Sequence, residues 1–265
     1  MEVKNKVVVV TGGANGIGEA LCRRFAAEGA KVVVSDIDEK RTQTVAGEIG
    51  GLAIKTDVTK ETEVINLVKK TEEIYGPIDL LCSNAGIAVW DGQAFSAVEA
   101  KNEDWQRSWE INVMGHVYAS RAVLPSMTAR KEGYILITAS AAGLLSQIGS
   151  APYSVTKHAA IGYAETLAIS HGGDGIKVSV LCPQAVNTDL LEGRTSGAES
   201  VDGIMEPDEL AGHTIEGLAD EKFLILPHKA VTTYVERKTA DYDRWLSGMR
   251  RLRLATMDTL KMPKK

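Results

Sequence analysis

The chain has 265 residues, of which 44% are hydrophobic and 25% charged, the balance of a folded globular protein and not of a disordered one. Lys and Arg number 30 against 35 Asp and Glu, and a net charge of −5 speaks against nucleic-acid binding, whose electrostatic footprint is strongly basic. No apolar run approaches the roughly 18–20 residues of a membrane span, and Met1 to Lys6 lack the cationic segment and apolar core of a signal peptide, so no membrane partner and a cytoplasmic location are expected.

Residues 7–10 are four valines, the uniformly apolar run of a parallel strand covered on both faces. Thr11-Gly12-Gly13-Ala14-Asn15-Gly16-Ile17-Gly18 follows directly, and a helix over 16–28 opens on its last glycines, with Gly29 as its stop. Strand, glycine turn and helix in that order suit a pyrophosphate, because glycine lets backbone approach closely and the helix N-terminus carries partial positive charge. A second strand over 32–34 leads to Asp36, placed to accept both hydroxyls of an adenosine ribose. Asp38 competes for that role, but Asp36 has the better position at the strand's edge, and Asp38 suits the cap of a helix over 38–49. A carboxylate there repels a 2′-phosphate, and Asn15 stands where a basic residue would greet one, so NAD(H) is favoured over NADP(H).

The beat continues with a strand over 52–55, a helix over 61–75, a strand over 78–82, a long helix over 104–130 and a strand over 134–138 ending near Ser140. A helix over 153–171 carries Tyr153 and Lys157 one turn apart on one face. A phenol to exchange a proton, a cation to lower its pKa from about 10, and a hydroxyl to place the substrate oxygen make a set suited to acid–base chemistry. A strand over 178–181, a lid over about 189–206, a helix from Pro207 and a strand over 223–226 complete the alternation. The pattern specifies an α/β doubly wound parallel sheet of Rossmann type in a single domain spanning 1–265. The tail over about 228–265 carries Tyr234, Tyr242, Trp245, Met249 and Leu252 at helical spacing and is expected to pack as one helix on the body. Its basic residues Arg250, Arg251, Arg253, Lys264 and Lys265 suit a solvated face and a frayed end. Cys22, Cys82 and Cys182 are odd in number and widely spaced in apolar surroundings, so buried thiols are expected, with no disulfide framework and no metal site.

Together these motifs resemble the classical short-chain dehydrogenase/reductase family from about Lys6 to Leu226. Asp57-Val58 matches that family's adenine-pocket pair, Asn84-Ala85-Gly86 its structural motif after the fourth strand, and Asn112, Ser140, Tyr153 and Lys157 its catalytic tetrad. The resemblance implies that Tyr153 exchanges a proton with the substrate oxygen while hydride moves to or from nicotinamide. It gives Lys157 the nicotinamide ribose and the tyrosinate, Ser140 the substrate oxygen, and Asn112 a water that links Lys157 to solvent. Two positions depart from the family pattern: Gln184 follows Pro183 where glycine is usual, and Ser83 replaces an asparagine. Val186 and Thr188 still fit the segment that contacts the carboxamide.

Loops after the fourth, fifth and sixth strands supply Val89 and Trp90, then Leu144, Leu145, Gln147 and Ile148, then Gln184, Val186, Leu190 and Leu191, with Ile204 and Met205 beyond. Those loops hold no basic cluster, Arg194 being expected to point to solvent, and about half of the leucines are expected to pack loop bases instead of lining the pocket. The implied activity is NAD-dependent hydride transfer with a neutral, lipophilic secondary alcohol or ketone. The alternatives are a sugar-nucleotide epimerase or dehydratase, and a non-catalytic NAD-sensing protein. From Ile111 to Ser120 the long helix carries no Asp, Glu, Lys or Arg, and the helix over 153–171 carries only Lys157 and Glu165, which predicts burial on two sides and a homodimer or homotetramer.

Overall fold

A computed structural model describes residues 1–92, 95–191 and 200–261, with side chains as far as Met257. Its strands are β1 (Val7–Thr11), β2 (Lys31–Asp36), β3 (Leu52–Lys55), β4 (Leu80–Ser83), β5 (Gly133–Thr138), β6 (Ile176–Leu181) and β7 (Leu224–Ile225). They form one seven-stranded parallel sheet in the order β3-β2-β1-β4-β5-β6-β7. The strand order reverses between β1 and β4, and the crevice beyond their carboxyl ends is where such sheets bind ligands.

The helices are α1 (Gly16–Ala27), α2 (Glu39–Ile49), α3 (Glu61–Tyr75), α4 (Asn102–Trp109), α5 (Gly115–Arg130), α6 (Ala142–Leu145), α7 (Ala151–His171), α8 (Pro207–Ala219), α9 (Ala230–Ala240) and α10 (Tyr242–Lys261). Strand side chains alternate between faces, so a strand apolar throughout feeds two cores. Val7 and Val9 of β1 join Ile135 and Ile137 of β5 in one core, closed by α3, α5 and α7 through Leu67, Val123 and Leu167. Val8 and Val10 join Tyr134 and Leu136 in the other, closed by α1, α2 and α8 through Phe25, Val45 and Leu218. Cys22, Cys82 and Cys182 are free and buried, as expected. No helix among the described residues is long and apolar enough to cross a membrane.

Two expectations need correction. The single helix over 104–130 is α4 and α5 joined by a π-helical turn, Glu110–Met114, with Asn112 inside it. Such turns loosen the helical ladder and recur at functional sites. The single tail helix is α9 and α10, broken where Asp241 turns extended (φ −158°, ψ 94°). Asp241 caps α10, its carboxylate accepting the Arg244 N–H at 2.9 Å. Residues 192–199, and with them Arg194 and part of the lid, lie outside the described residues, as do Lys264 and Lys265.

Candidate active site

The turn after β1 is shaped by what surrounds it. Gly12 has φ +63°, and a Cβ there would stand 2.8 Å from Ala85 Cα. A Cβ on Gly18 would stand 1.9 Å from the Gly12 carbonyl oxygen, so α1 and the turn touch backbone to backbone. Asn84, just beyond β4, fixes the turn by donating from its amide to the carbonyls of Thr11 (3.1 Å) and Gly12 (3.3 Å). Asn15 caps α1, accepting the Gly16 N–H at 2.8 Å, and donates to Asp189 at 2.6 Å. Arg41 reaches over from α2, donating to the Ala14 carbonyl (3.0 Å) and to Asn15 (3.2 Å); nothing in the sequence pattern pointed to it.

These groups open onto a cavity of about 1250 Å³. Gly12, Asn15, Gly16, Ile17, Gly18, Asp36, Asn84, Ala85 and Gly86 line one end of it. Asp36 stands half-buried at the end of β2, its carboxylate accepting the Ala14 and Asp38 N–H groups at 3.2 and 3.1 Å. Asp38 is the cap of α2, accepting from Arg41 N–H. A glycine cradle at a helix N-terminus, with a carboxylate at the next strand's edge, fits a dinucleotide. Asp57 and Val58 are not among the lining residues. The Asp57 carboxylate accepts from the Thr59 N–H (3.0 Å) and hydroxyl (2.7 Å), and Val58 packs where Gly115 leaves room.

Ser140, Tyr153 and Lys157 line the same cavity, brought there by the loop after β5 and the first turns of α7. The Ser140 hydroxyl donates to the Pro183 carbonyl at 3.3 Å and accepts the Ala142 N–H at 3.1 Å. Lys157 is buried, donates to the Thr138 carbonyl at 3.0 Å, and lies 5.6 Å from the centre of the Tyr153 ring. Burial lowers the Lys157 pKa to about 8. Burial pushes the Tyr153 phenol up, and the hydrogen bond with Ser140 offsets part of that rise. Asn112 sits behind this row. Its amide oxygen accepts the Ile87 N–H (2.8 Å), and its amide nitrogen donates to the Ile87 carbonyl (2.9 Å) and the Thr156 hydroxyl (3.1 Å). Gly86 fits between: a Cβ there would meet Lys157 Nζ at 3.2 Å and Asn112 Oδ1 at 3.3 Å.

Beyond β6, Pro183, Gln184, Val186 and Thr188 line the cavity, as do Trp90, Leu145, Gln147, Leu190 and Leu191. Leu144 instead packs beside Val231, Tyr234 and Trp245, and Val89, Ile148, Ile204 and Met205 are not among the lining residues. Gln184, the departure from the family glycine, is held by its surroundings. Its side-chain amide donates to Asp202 at 3.0 Å, and its backbone N–H donates to His228 at 3.2 Å. Ser83, the other departure, accepts or donates a 2.7 Å bond with His116, a buried histidine whose pKa burial lowers to about 3.

The tail supplies what the sequence reading missed. Lys238 donates to the Leu144 carbonyl at 2.5 Å, Tyr234 to Asp202 at 3.0 Å and Arg253 to the Phe95 carbonyl at 3.0 Å, which tie α9 and α10 to the loops after β4, β5 and β6. Tyr234, Arg237, Arg244, Trp245, Met249, Arg251 and Leu252 line the cavity there. Among the described residues the three loops bring no basic side chain to the cavity lining, but the tail brings three arginines, and Arg251 lines the pocket while staying solvent-exposed, as expected of it. Among the described residues no group of His, Cys, Asp and Glu side chains is placed to hold a metal ion.

A glycine-turn dinucleotide cleft beside a serine, a tyrosine and a lysine defines a nicotinamide-type oxidoreductase site. The profile of the short chain dehydrogenase family matches residues 6–199, and the chain belongs to that family. The meso-2,3-butanediol dehydrogenase of Serratia marcescens is 37% identical over 196 residues, covering 73% of this chain and 76% of the relative. A short-chain dehydrogenase/reductase from Burkholderia phymatum, solved in complex with NAD, superposes with a TM-score of 0.81 at 27% identity, over 92% of this chain and 96% of that one. The 3-ketoacyl-(acyl-carrier-protein) reductase of Brucella melitensis, complexed with NADH, gives 0.77 at 30% identity, over 84% and 96%.

Proposed function

We propose that the protein is an NAD(H)-dependent oxidoreductase that interconverts a secondary alcohol and its ketone, lipophilic around the reacting carbon. The observation that carries this reading is the convergence of Ser140, Tyr153 and Lys157 on the cavity that also holds the glycine turn and Asp36. The NAD-bound Burkholderia structure and the Serratia meso-2,3-butanediol dehydrogenase support it. The turn over Gly12 to Gly18 would hold the pyrophosphate, Asp36 the adenosine ribose, Lys157 the nicotinamide ribose, and Pro183, Val186 and Thr188 the carboxamide side. When bound, the cofactor supplies the hydride acceptor or donor for the reacting carbon.

Tyr153 then exchanges a proton with the substrate oxygen, Ser140 holds that oxygen, and the Lys157 ammonium stabilises the tyrosinate. Trp90, Leu145, Leu191, Trp245 and Met249 give the reacting end apolar walls, and each buried CH₂ is worth about 0.8 kcal/mol of binding. Three free, buried thiols suit a reducing compartment such as the cytoplasm. The test is a panel of secondary alcohols and ketones followed by NADH absorbance, wild type against Tyr153→Phe. Turnover that rises with apolar bulk and falls by roughly two to four powers of ten in the variant, with NADH binding kept, is the expected result. Near wild-type turnover in Tyr153→Phe would overturn the assignment.

A further inference from the structure

The cavity-facing residues of α10 recur at helical spacing: Arg244 and Trp245, then Gly248 and Met249, then Arg251 and Leu252. Trp245, Met249 and Leu252 make an apolar strip, and Arg244 and Arg251 flank it two turns apart, about 10 Å along the axis. Arg237 joins them from α9. Gly248 is where Arg251 folds back: a Cβ there would lie 3.9 Å from the Arg251 guanidinium, which places that head group on the cavity face.

None of Arg237, Arg244 and Arg251 forms an ion pair among the described residues. Asp36 and Asp189 lie at the cofactor end, engaged with backbone N–H groups and with Asn15 respectively. Asp241, the acid nearest in sequence, also lines the cavity and accepts the Arg244 backbone N–H, and Asp202 accepts from Gln184 and Tyr234, so two carboxylates stand against three guanidinium groups at this end. α9 and α10 pack on Ala141 and Leu145, which follow Ser140 in the chain, so the arginines approach the cavity from that side. Guanidinium groups pair with planar or tetrahedral oxyanions through forked hydrogen bonds.

We propose that Arg237, Arg244 and Arg251 form an anion-binding rim, so that the substrate carries a carboxylate or phosphate at the end remote from its reacting carbon, joined to it by an apolar chain. This rests on the oxidoreductase reading and narrows its substrate class to amphiphilic anions. Arginine is suited to the task because its charge persists at every working pH and its stem adds apolar contact along the strip.

Three probes of equal chain length decide it: a methyl ketone, the same chain ending in a carboxylate, and the same chain ending in a phosphate. In the wild type at low ionic strength, one anionic probe is expected to exceed the neutral ketone in kcat/KM by about tenfold or more, the sum of three modest, solvent-exposed pairings. The better of the two anions names the group. The advantage shrinks as salt is raised. The combined variant Arg237→Gln/Arg244→Gln/Arg251→Gln brings the ratio close to one with the NADH dissociation constant moved less than twofold, and Arg250→Gln, the loss of one arginine charge from the same helix outside the cavity lining, keeps the ratio. A wild-type ratio at or below one, a ratio that survives in the combined variant, or a combined variant that mainly weakens NADH binding each overturns the rim. If wild type turns over none of the probes, the oxidoreductase reading fails instead. Calorimetry with the carboxylate and phosphate probes on NADH-loaded protein then decides the rim: binding lost only in the combined variant supports it, and binding equal in all three proteins overturns it.

Discussion

Asp36 and His116 show how much a single residue's surroundings decide. Asp36 already accepts two backbone N–H groups, so its carboxylate is oriented before any ribose arrives. Replacing it by alanine removes a charge-assisted acceptor and the repulsion of a 2′-phosphate together. Asp36→Ala is expected to reduce the preference for NAD over NADP by about 1–3 kcal/mol, read from kcat/KM with each nucleotide. A wild-type enzyme that uses both equally well sinks the assignment. His116 is fully buried, and burial holds its pKa near 3, below the ordinary 6.5. Between those values the unfolded chain binds the proton and the folded chain does not, so stability falls as pH drops from about 6.5 toward 3. Urea unfolding at pH 7 and pH 5 is expected to show a loss of about 1–2 kcal/mol from this group, and His116→Asn should remove that part of the difference. An identical pH dependence in wild type and variant would count against it. That Tyr153, Lys157 and Asp36 would face one cavity was legible in the sequence from their places after strands and beside the other motifs. Ser83 with His116, and Arg41 with the turn, were not, because each pair is far apart in the chain and meets only in the fold.

At the scale of elements, α7, the helix that carries Tyr153 and Lys157, has an unusual start. Ser150 precedes α7 but makes no side-chain cap, and the first N–H is taken by a distant residue. Both carboxylate oxygens of Asp91 accept the Ala151 N–H, at 3.0 and 3.1 Å, and the Asp91 N–H donates to the Gly149 carbonyl at 2.7 Å. The loop after β4 thus fixes the turn that carries Tyr153, two residues on. Asp91→Ala is expected to cost about 1 kcal/mol of stability, the usual worth of a helix cap, and to lower kcat more than it changes NADH affinity. Asp91→Asn, which keeps an acceptor, should restore most of both, and an unchanged melting temperature and kcat in Asp91→Ala would refute the role. The strand–helix alternation was legible because period and glycine punctuation are local signals, and seven strands fall where they were expected. The π-helical turn was not, since it follows from the bonds Asn112 makes with Ile87 and Thr156. The break between α9 and α10 left one readable mark, Asp241 as a helix cap ahead of Arg244. The role of the tail left none, because spacing shows which residues share a face and not what that face covers.

Across the whole molecule, the glycine turn after β1 and the residues of α9 and α10 line one cavity, so segments far apart in sequence enclose one space. The outer side of the same body raises the question of assembly. The helices α5 and α7 bury one side against the sheet through Val123, Met127, Ala160 and Leu167. From Ile111 to Ser120, and along α7 apart from Lys157 and Glu165, they carry no Asp, Glu, Lys or Arg on the other side either. Val155 on α7 and Trp109 on the adjoining α4 are 48% and 43% exposed, and α4 packs directly on α7. Single exposed apolar residues are ordinary, but helices so poor in charge on both sides are not left facing water. A second copy of the same face is the simplest cover, since a two-fold axis pairs identical patches. Sedimentation at micromolar concentration is expected to give a dimer or a dimer of dimers. Val155→Glu, which places two like charges near the axis, is expected to shift the equilibrium toward monomer, and a wild-type protein that sediments as a monomer would show that these helices need no partner.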